Sequence, residues 1–272
     1  APRRPLVGRR GFLRSGDRPG ARHNPLRPFL LPPERGKIVA MYGTRLEETL
    51  PEVRDRIAEA ARRAGRDPSE VRIIAVTKEH PGEAIEALLA AGVRDVAENR
   101  IEQIEEWVVR FGRKAARWHM IGHLQRRKAP QARAVVDLLH SVDSVRLAER
   151  LEEVAPRDGG SLSVLVQVNT SGEETKGGFG PADALDGLER ILALGTLRVE
   201  GLMTMAPYYA DEALLRKTFG TLRELHGQAR ARFPAYEGKE LSMGMSNDFE
   251  VAVEEGSTMV RLGTVLLGGY RG

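Results

Sequence analysis

The sequence predicts one (β/α)₈ barrel preceded by an N-terminal helix, on three observations. Short apolar, β-branched runs alternate with amphipathic stretches of helical period, a pattern that demands parallel strands joined by helical crossovers. Eight such runs fall within about 200 residues, which suits a closed barrel better than an open sheet. The turn after the first run, Thr77-Lys78-Glu79-His80-Pro81, holds no glycine, whereas an open doubly wound sheet usually carries a Gly-rich phosphate turn there.

The elements follow in order. From Arg45 the apolar residues Leu46, Leu50, Val53, Ile57 and Ala60 share one helical face up to Gly65. Strands are expected at 72–77, 93–97, 117–121, 138–142, 163–169, 198–205, 240–245 and 258–267. Helices are expected between and around them at about 81–91, 99–112, 124–136, 144–155, 181–194, 211–231 and 248–255. The barrel is therefore assigned to residues 41–272 and a separate basic tail to residues 1–40.

Composition bounds the function. Hydrophobic residues make up 41% of the 272, enough for a sizeable core. No apolar run approaches the roughly 18–20 residues of a membrane span, so a cytoplasmic protein is expected. The absence of cysteine removes disulfides, thiolate metal sites and thiol nucleophiles. The net charge of +4 is unevenly spread: residues 1–40 carry a net +8, which leaves the body at −4. A mildly acidic body does not suit phosphate-backbone binding, so no nucleic acid is expected on the barrel. The tail is rich in Arg, Pro and Gly and lacks a period, so it is expected to be disordered. Its run Phe29-Leu30-Leu31 is too short for a secretory signal. It reads as translation from an upstream start, with Met41 as the alternative start, ahead of an organellar transit peptide or an RNA-binding arm.

In a barrel the chemistry sits at the C-terminal ends of the strands. Lys78 ends the first strand in a chain with seven Lys against 35 Arg. A lysine can lose its proton and attack a carbonyl, which arginine cannot do. Its parity with Ile74 and Val76 would point it into a dry mouth, where desolvation favours the neutral amine. The plainer alternative is a solvated lysine closing a strand.

The ends of strands 7 and 8 suggest a phosphate cradle. Ser242, Met243, Gly244 and Ser246 precede a helix, and Gly263 and Thr264 add a close backbone approach and a hydroxyl. The competing view makes Ser246-Asn247-Asp248 an N-cap box with Glu250. Arg261 lies within an apolar strand and shares parity with Met259 and Gly263. There it could donate to a pyridine nitrogen and keep it unprotonated, or form a structural ion pair with Glu200 or Glu98. Asn99 closes strand 2 at the same rim. His119 and His123 flank a strand and its turn without evident carboxylate partners, so no metal is expected. Residues 172–180, with Lys176-Gly177-Gly178, read as a mobile loop over the mouth and not as a P-loop.

With these residues in view the chain resembles the pyridoxal phosphate homeostasis proteins (YggS/PROSC type), which look like the barrel domain of alanine racemase standing alone. The segments that carry the resemblance are IIAVTK at 73–78, ENRIEQ at 98–103, WHMIGHLQRRK at 118–128 and VNTSGEETKGG at 168–178. GLMTMAP at 201–207, LSMGMSNDFEVAVEEGST at 241–258 and VRLGT at 260–264 complete it, so that it spans 44–269. Thr77 and Ala97 depart from the family's frequent Ser and Gly. The resemblance implies pyridoxal 5′-phosphate held as a Schiff base on Lys78. It further implies that Asn99, Ser242, Met243, Ser246, Gly263 and Thr264 help bind the cofactor, with Arg261 near the pyridine nitrogen. Alanine racemases use a second, β-rich domain that supplies a tyrosine base, and this sequence leaves no room for one after strand 8. The expectation is a monomeric carrier in vitamin B6 balance with no catalytic residues of its own, with PLP-dependent apo-enzymes as its partners. The alternatives are an amino-acid racemase, a cofactor-free Schiff-base aldolase on Lys78, and RNA binding through the tail.

Overall fold

The computed structural model describes residues 32–157, 159–173 and 175–269. Eight parallel strands, β1 (Arg72–Val76), β2 (Asp95–Glu98), β3 (Arg117–Met120), β4 (Leu138–Val142), β5 (Leu162–Gln167), β6 (Leu197–Met203), β7 (Glu240–Ser242) and β8 (Met259–Leu262), close into a barrel in sequence order. Closure is made by β1 on β8, with Ile74 opposite Arg261. The crossovers are α2 (Gly82–Ala90), α3 (Ile101–Phe111), α4 (Ala129–Val135), α5 (Val145–Glu153), α6 (Ala184–Leu192), α7 (Glu212–Arg232) and α8 (Phe249–Glu254). The chain enters through α1 (Pro32–Arg63), and a single turn, α9 (Thr264–Leu267), follows β8.

Helix α1 starts well before the expected Arg45. Residues 32–40, assigned to the tail by composition, are helical, while residues 1–31 lie outside the described residues. Tyr42 and Leu46 are buried and Ile38 and Val39 pack beside them, which extends the apolar face by two turns. Arg35 adds a contact with Glu86 of α2 at 2.8 Å. The Arg, Lys, Pro and Gly around Ile38 hid that face from a compositional reading.

The expected strand 258–267 is also two elements. β8 stops at Leu262 because Gly263 takes φ −115°, ψ −81°, and the chain turns into α9. Leu266 and Leu267 then pack with α1, and Thr49 Oγ1 donates to Leu266 O at 2.9 Å. Gly244, at φ +93°, ends β7 two residues after Ser242.

The alternation of the strands separates two cores. Ile74, Val76, Ala97, Leu138, Leu165, Met203 and Met259 fill the barrel interior. The residues of opposite parity, such as Val96, Trp118, Leu139 and Val164, pack under the helices. At the N-terminal pole the interior is ionic: Arg72 meets Glu240 at 2.5 Å, and Glu200 meets Arg117 at 3.0 Å and Arg198 at 2.8 Å. No helix among the described residues is long and apolar enough to cross a membrane.

Candidate functional site

The strand ends gather at the C-terminal mouth, where the sequence placed its candidates. β1 ends at Val76, and Thr77 to His80 form a tight turn closed by His80 N donating to Thr77 O at 3.0 Å. Glu79 in this turn has φ +65°, a strained conformation for a residue with a side chain. Two buried groups hold the turn in place. Thr77 Oγ1 donates to Glu98 Oε1 at 2.6 Å, and the His80 ring lies 2.8 Å from Tyr42 Oη of α1. Glu98 is also bonded by Trp107 Nε1 at 3.1 Å, and its other oxygen has no hydrogen-bond partner among the described residues. Burial pushes the Glu98 carboxyl up.

Lys78 rides on this turn. Its side chain is exposed, so the dry surroundings expected from parity are not there. The strand ends two residues too soon to draw the lysine below the rim. Asn99, at the end of β2, is likewise exposed on the rim.

Across the mouth the loop between β7 and α8 faces the start of α9. Ser246 Oγ accepts from Val265 N at 3.3 Å, so it bridges the two loops and does not cap α8. The N-cap of α8 is Asp248, whose Oδ1 accepts from Met245 N at 2.5 Å; no side-chain cap with Glu250 forms. Asp248 Oδ2 is buried with no hydrogen-bond partner among the described residues, and burial pushes its carboxyl up. Gly263 is half-buried and Thr264 exposed at the head of α9, whose first N–H groups have no carbonyl one turn earlier. A Cβ on Gly263 would come 3.2 Å from Val76 O, tighter than ordinary contact. This corner of backbone N–H and hydroxyl donors, kept open by Gly263, fits an anionic phosphate.

Below the mouth lies Arg261, 3% exposed. Its Nη1 donates to Ser242 Oγ at 2.7 Å and its Nη2 to Thr204 O at 2.9 Å. Neither carboxylate offered as an ion-pair partner serves it, because Glu200 is held by Arg117 and Arg198 and Glu98 by Thr77 and Trp107. Burial pushes the guanidinium down to about 10, so it stays charged at neutral pH.

Two expected contacts stand elsewhere. Ser242 is fully buried and its hydroxyl is engaged with Arg261 and, at 2.9 Å, with His140 Nδ1. Met243 has the opposite parity: its side chain packs in the outer core and its N–H donates to Met259 O at 3.2 Å. The histidines also differ from expectation, since each has a carboxylate. His119 is inside the barrel, 2.9 Å from Asp95, whereas His123 is exposed and lies 2.8 Å from Asp143. The described residues of the loop after β5 are tied down: Asn169 Nδ2 donates to Glu173 O and Lys176 O, Gln167 Nε2 to Gly177 O, and Lys176 Nζ to Ala206 O. Sequence reasoning overlooked His140. Its parity with inward Leu138, in a strand buried throughout, was the signal available.

Comparison with known proteins agrees with this fold. The family described as alanine racemase, N-terminal domain, matches residues 49–271. A pyridoxal phosphate homeostasis protein of Aquifex aeolicus is 37% identical over 81% of this chain and 96% of its own. Its namesake in Pseudomonas aeruginosa is 38% identical over 82% and 95%. Among solved structures, PipY of Synechococcus elongatus with PLP bound is 36% identical, with a TM-score of 0.69 over 78% of this chain and all of that one. An alanine racemase of Clostridium difficile shares the fold at 16% identity, with a TM-score of 0.66 over 84% of this chain and 60% of that one.

Proposed function

Because this chain belongs to the pyridoxal phosphate homeostasis proteins, we propose that it binds pyridoxal 5′-phosphate at the barrel mouth, as a cytoplasmic carrier in vitamin B6 balance. The observation that carries this is the arrangement of three groups at one mouth: an exposed lysine on the rim, a buried guanidinium held below it by neutral acceptors, and a corner of backbone and hydroxyl donors. When bound, the cofactor supplies an aldehyde and a pyridine ring. Lys78 Nζ would hold it through the aldehyde carbon, as a Schiff base whose formation releases one water. Ser246, Gly263 and Thr264 receive the phosphate, and Asn99 borders the ring from β2. Ser242 contributes through Arg261 and not by touching phosphate. The PLP bound to PipY, at 36% identity, supports the ligand.

The same groups favour carrying over catalysis. Arg261 offers only N–H donors, so a facing pyridine nitrogen stays unprotonated and withdraws electrons weakly. An exposed Lys78 leaves the linkage open to water and to competing amines, which suits release to PLP-dependent apo-enzymes. The experiment is borohydride reduction of protein incubated with pyridoxal phosphate, followed by peptide mass mapping. The expected adduct lies on Lys78 and not on the other six lysines. An adduct spread over several lysines, or none, would contradict the proposal.

A further inference from the structure

A continuous string of hydrogen bonds runs through the barrel interior. Asp95 Oδ1 lies 2.9 Å from His119 Nε2, His119 Nδ1 lies 2.9 Å from His140 Nε2, and His140 Nδ1 lies 2.9 Å from Ser242 Oγ. Ser242 Oγ in turn receives Arg261 Nη1 at 2.7 Å. His119, His140 and Ser242 are fully buried. Asp95, with a quarter of its side chain exposed, lines a cavity of ≈ 490 Å³ at the pole opposite the mouth. The string thus joins solvent at one pole to the guanidinium under the mouth.

The chemistry of the two ends fixes its direction. An ionised carboxylate only accepts, a guanidinium only donates, and a neutral imidazole does one of each. Asp95 therefore requires the proton on His119 Nε2, which leaves Nδ1 to accept. His140 must then carry its proton on Nε2 and accept at Nδ1, so the Ser242 hydroxyl donates to it and keeps its lone pairs for Arg261. Every member is satisfied with both rings neutral. The opposite direction needs a protonated Asp95 or an imidazolium. Asp95 favours a cation on His119, but Arg72 and Arg117 disfavour one on either ring, and Arg261 does the same to His140. Burial acts the same way and lowers both histidines, His140 well below the usual range.

We infer that Asp95, His119, His140 and Ser242 form a one-way hydrogen-bond relay that aims Arg261 at the mouth, which makes the three inner residues positioning residues of the site proposed above. For its effect on the cofactor, the relay rests on that proposed function; for its proton positions, it does not. Among the described residues Arg261 forms no salt bridge, Asp248 acting on it only at longer range, and one of its two hydrogen-bond acceptors depends on the Ser242 hydroxyl being turned away from it. Ser242 can accept from Arg261 in a fixed geometry only while His140 takes its proton.

The test has two arms on the full chain. Histidine ¹⁵N NMR of the cofactor-free protein at neutral pH is expected to show His119 and His140 as neutral Nε2–H tautomers. An Nδ1–H tautomer or an imidazolium at either ring would overturn the relay. In the second arm, His140→Phe and Asp95→Leu are titrated with pyridoxal phosphate. Each is expected to bind about tenfold more weakly than wild type and to shift the absorption maximum of the bound cofactor. Asp95→Asn, which keeps an accepting oxygen, restores most of both. Affinity and maximum unchanged in both variants would refute the positioning role, and a fold defect alone would not move the maximum of the bound fraction. Failure of the wild type to bind would refute the function proposed above while the NMR arm still decides the relay.

Discussion

Arg261 is the residue on which the site turns. In an apolar strand its charge is costly to bury, and the structure answers that cost with neutral acceptors, Ser242 Oγ and Thr204 O, in place of a carboxylate. Replacing it by lysine keeps the charge but loses the planar fork that reaches both acceptors at once. Arg261→Lys is therefore expected to bind pyridoxal phosphate roughly tenfold more weakly, as read by equilibrium titration; wild-type affinity would mean that the fork does not face the cofactor. The type and parity of Arg261 were legible in the sequence. What it touches was not, because Thr204 and Ser242 lie 57 and 19 residues away in the chain. Lys78 shows the reverse case. Its position at the rim could be read from β1, but its exposure depends on where the strand stops, and a run of apolar letters does not mark that point.

At the scale of elements, the junctions carry the site. Helix α1 supports the Lys78 turn through Tyr42 and His80, a link between distant segments that no local pattern announces. The loop from β7 to α8 depends on Gly244, whose φ of +93° suits glycine, and a Cβ there would stand 2.6 Å from Ala252 Cβ. Gly244→Ala is expected to cost about 2 kcal/mol, read by chemical denaturation of variant and wild type. A loss below about 0.5 kcal/mol, the range of ordinary surface changes, would show that the loop relaxes freely. The strands and crossovers were legible because period two and period 3.6 differ so strongly. The ends of β7 and β8 and the start of α1 were not, because φ angles and tertiary burial decide them.

Across the whole molecule, function divides by pole. Ion pairs close the N-terminal end, an apolar layer fills the middle, and the groups proposed to hold the cofactor ring the C-terminal end. Through the middle pass His119 and His140, which burial lowers, while burial holds His226 at about 4. A histidine lowered in the folded state is neutral there and charged in the unfolded chain below its ordinary value. Its contribution is therefore complete above about pH 6.5 and lost as the pH falls toward the folded value, at about 1.4 kcal/mol per pH unit for each such ring. Urea midpoints are expected to drop measurably between about pH 6.5 and 5, against the opposite and smaller contribution of the raised carboxyls of Glu98 and Asp248. A midpoint flat over that interval would contradict the buried neutral rings.

The central claim is that Lys78 holds the cofactor, and an absorption titration with pyridoxal phosphate tests it most directly. Lys78 is exposed and makes no hydrogen bond or ion pair among the described residues, so Lys78→Ala is expected to fold as the wild type does. A visible imine band that appears in the wild type and is absent from Lys78→Ala is the expected result. An equal band in both proteins, or none in either, would contradict it.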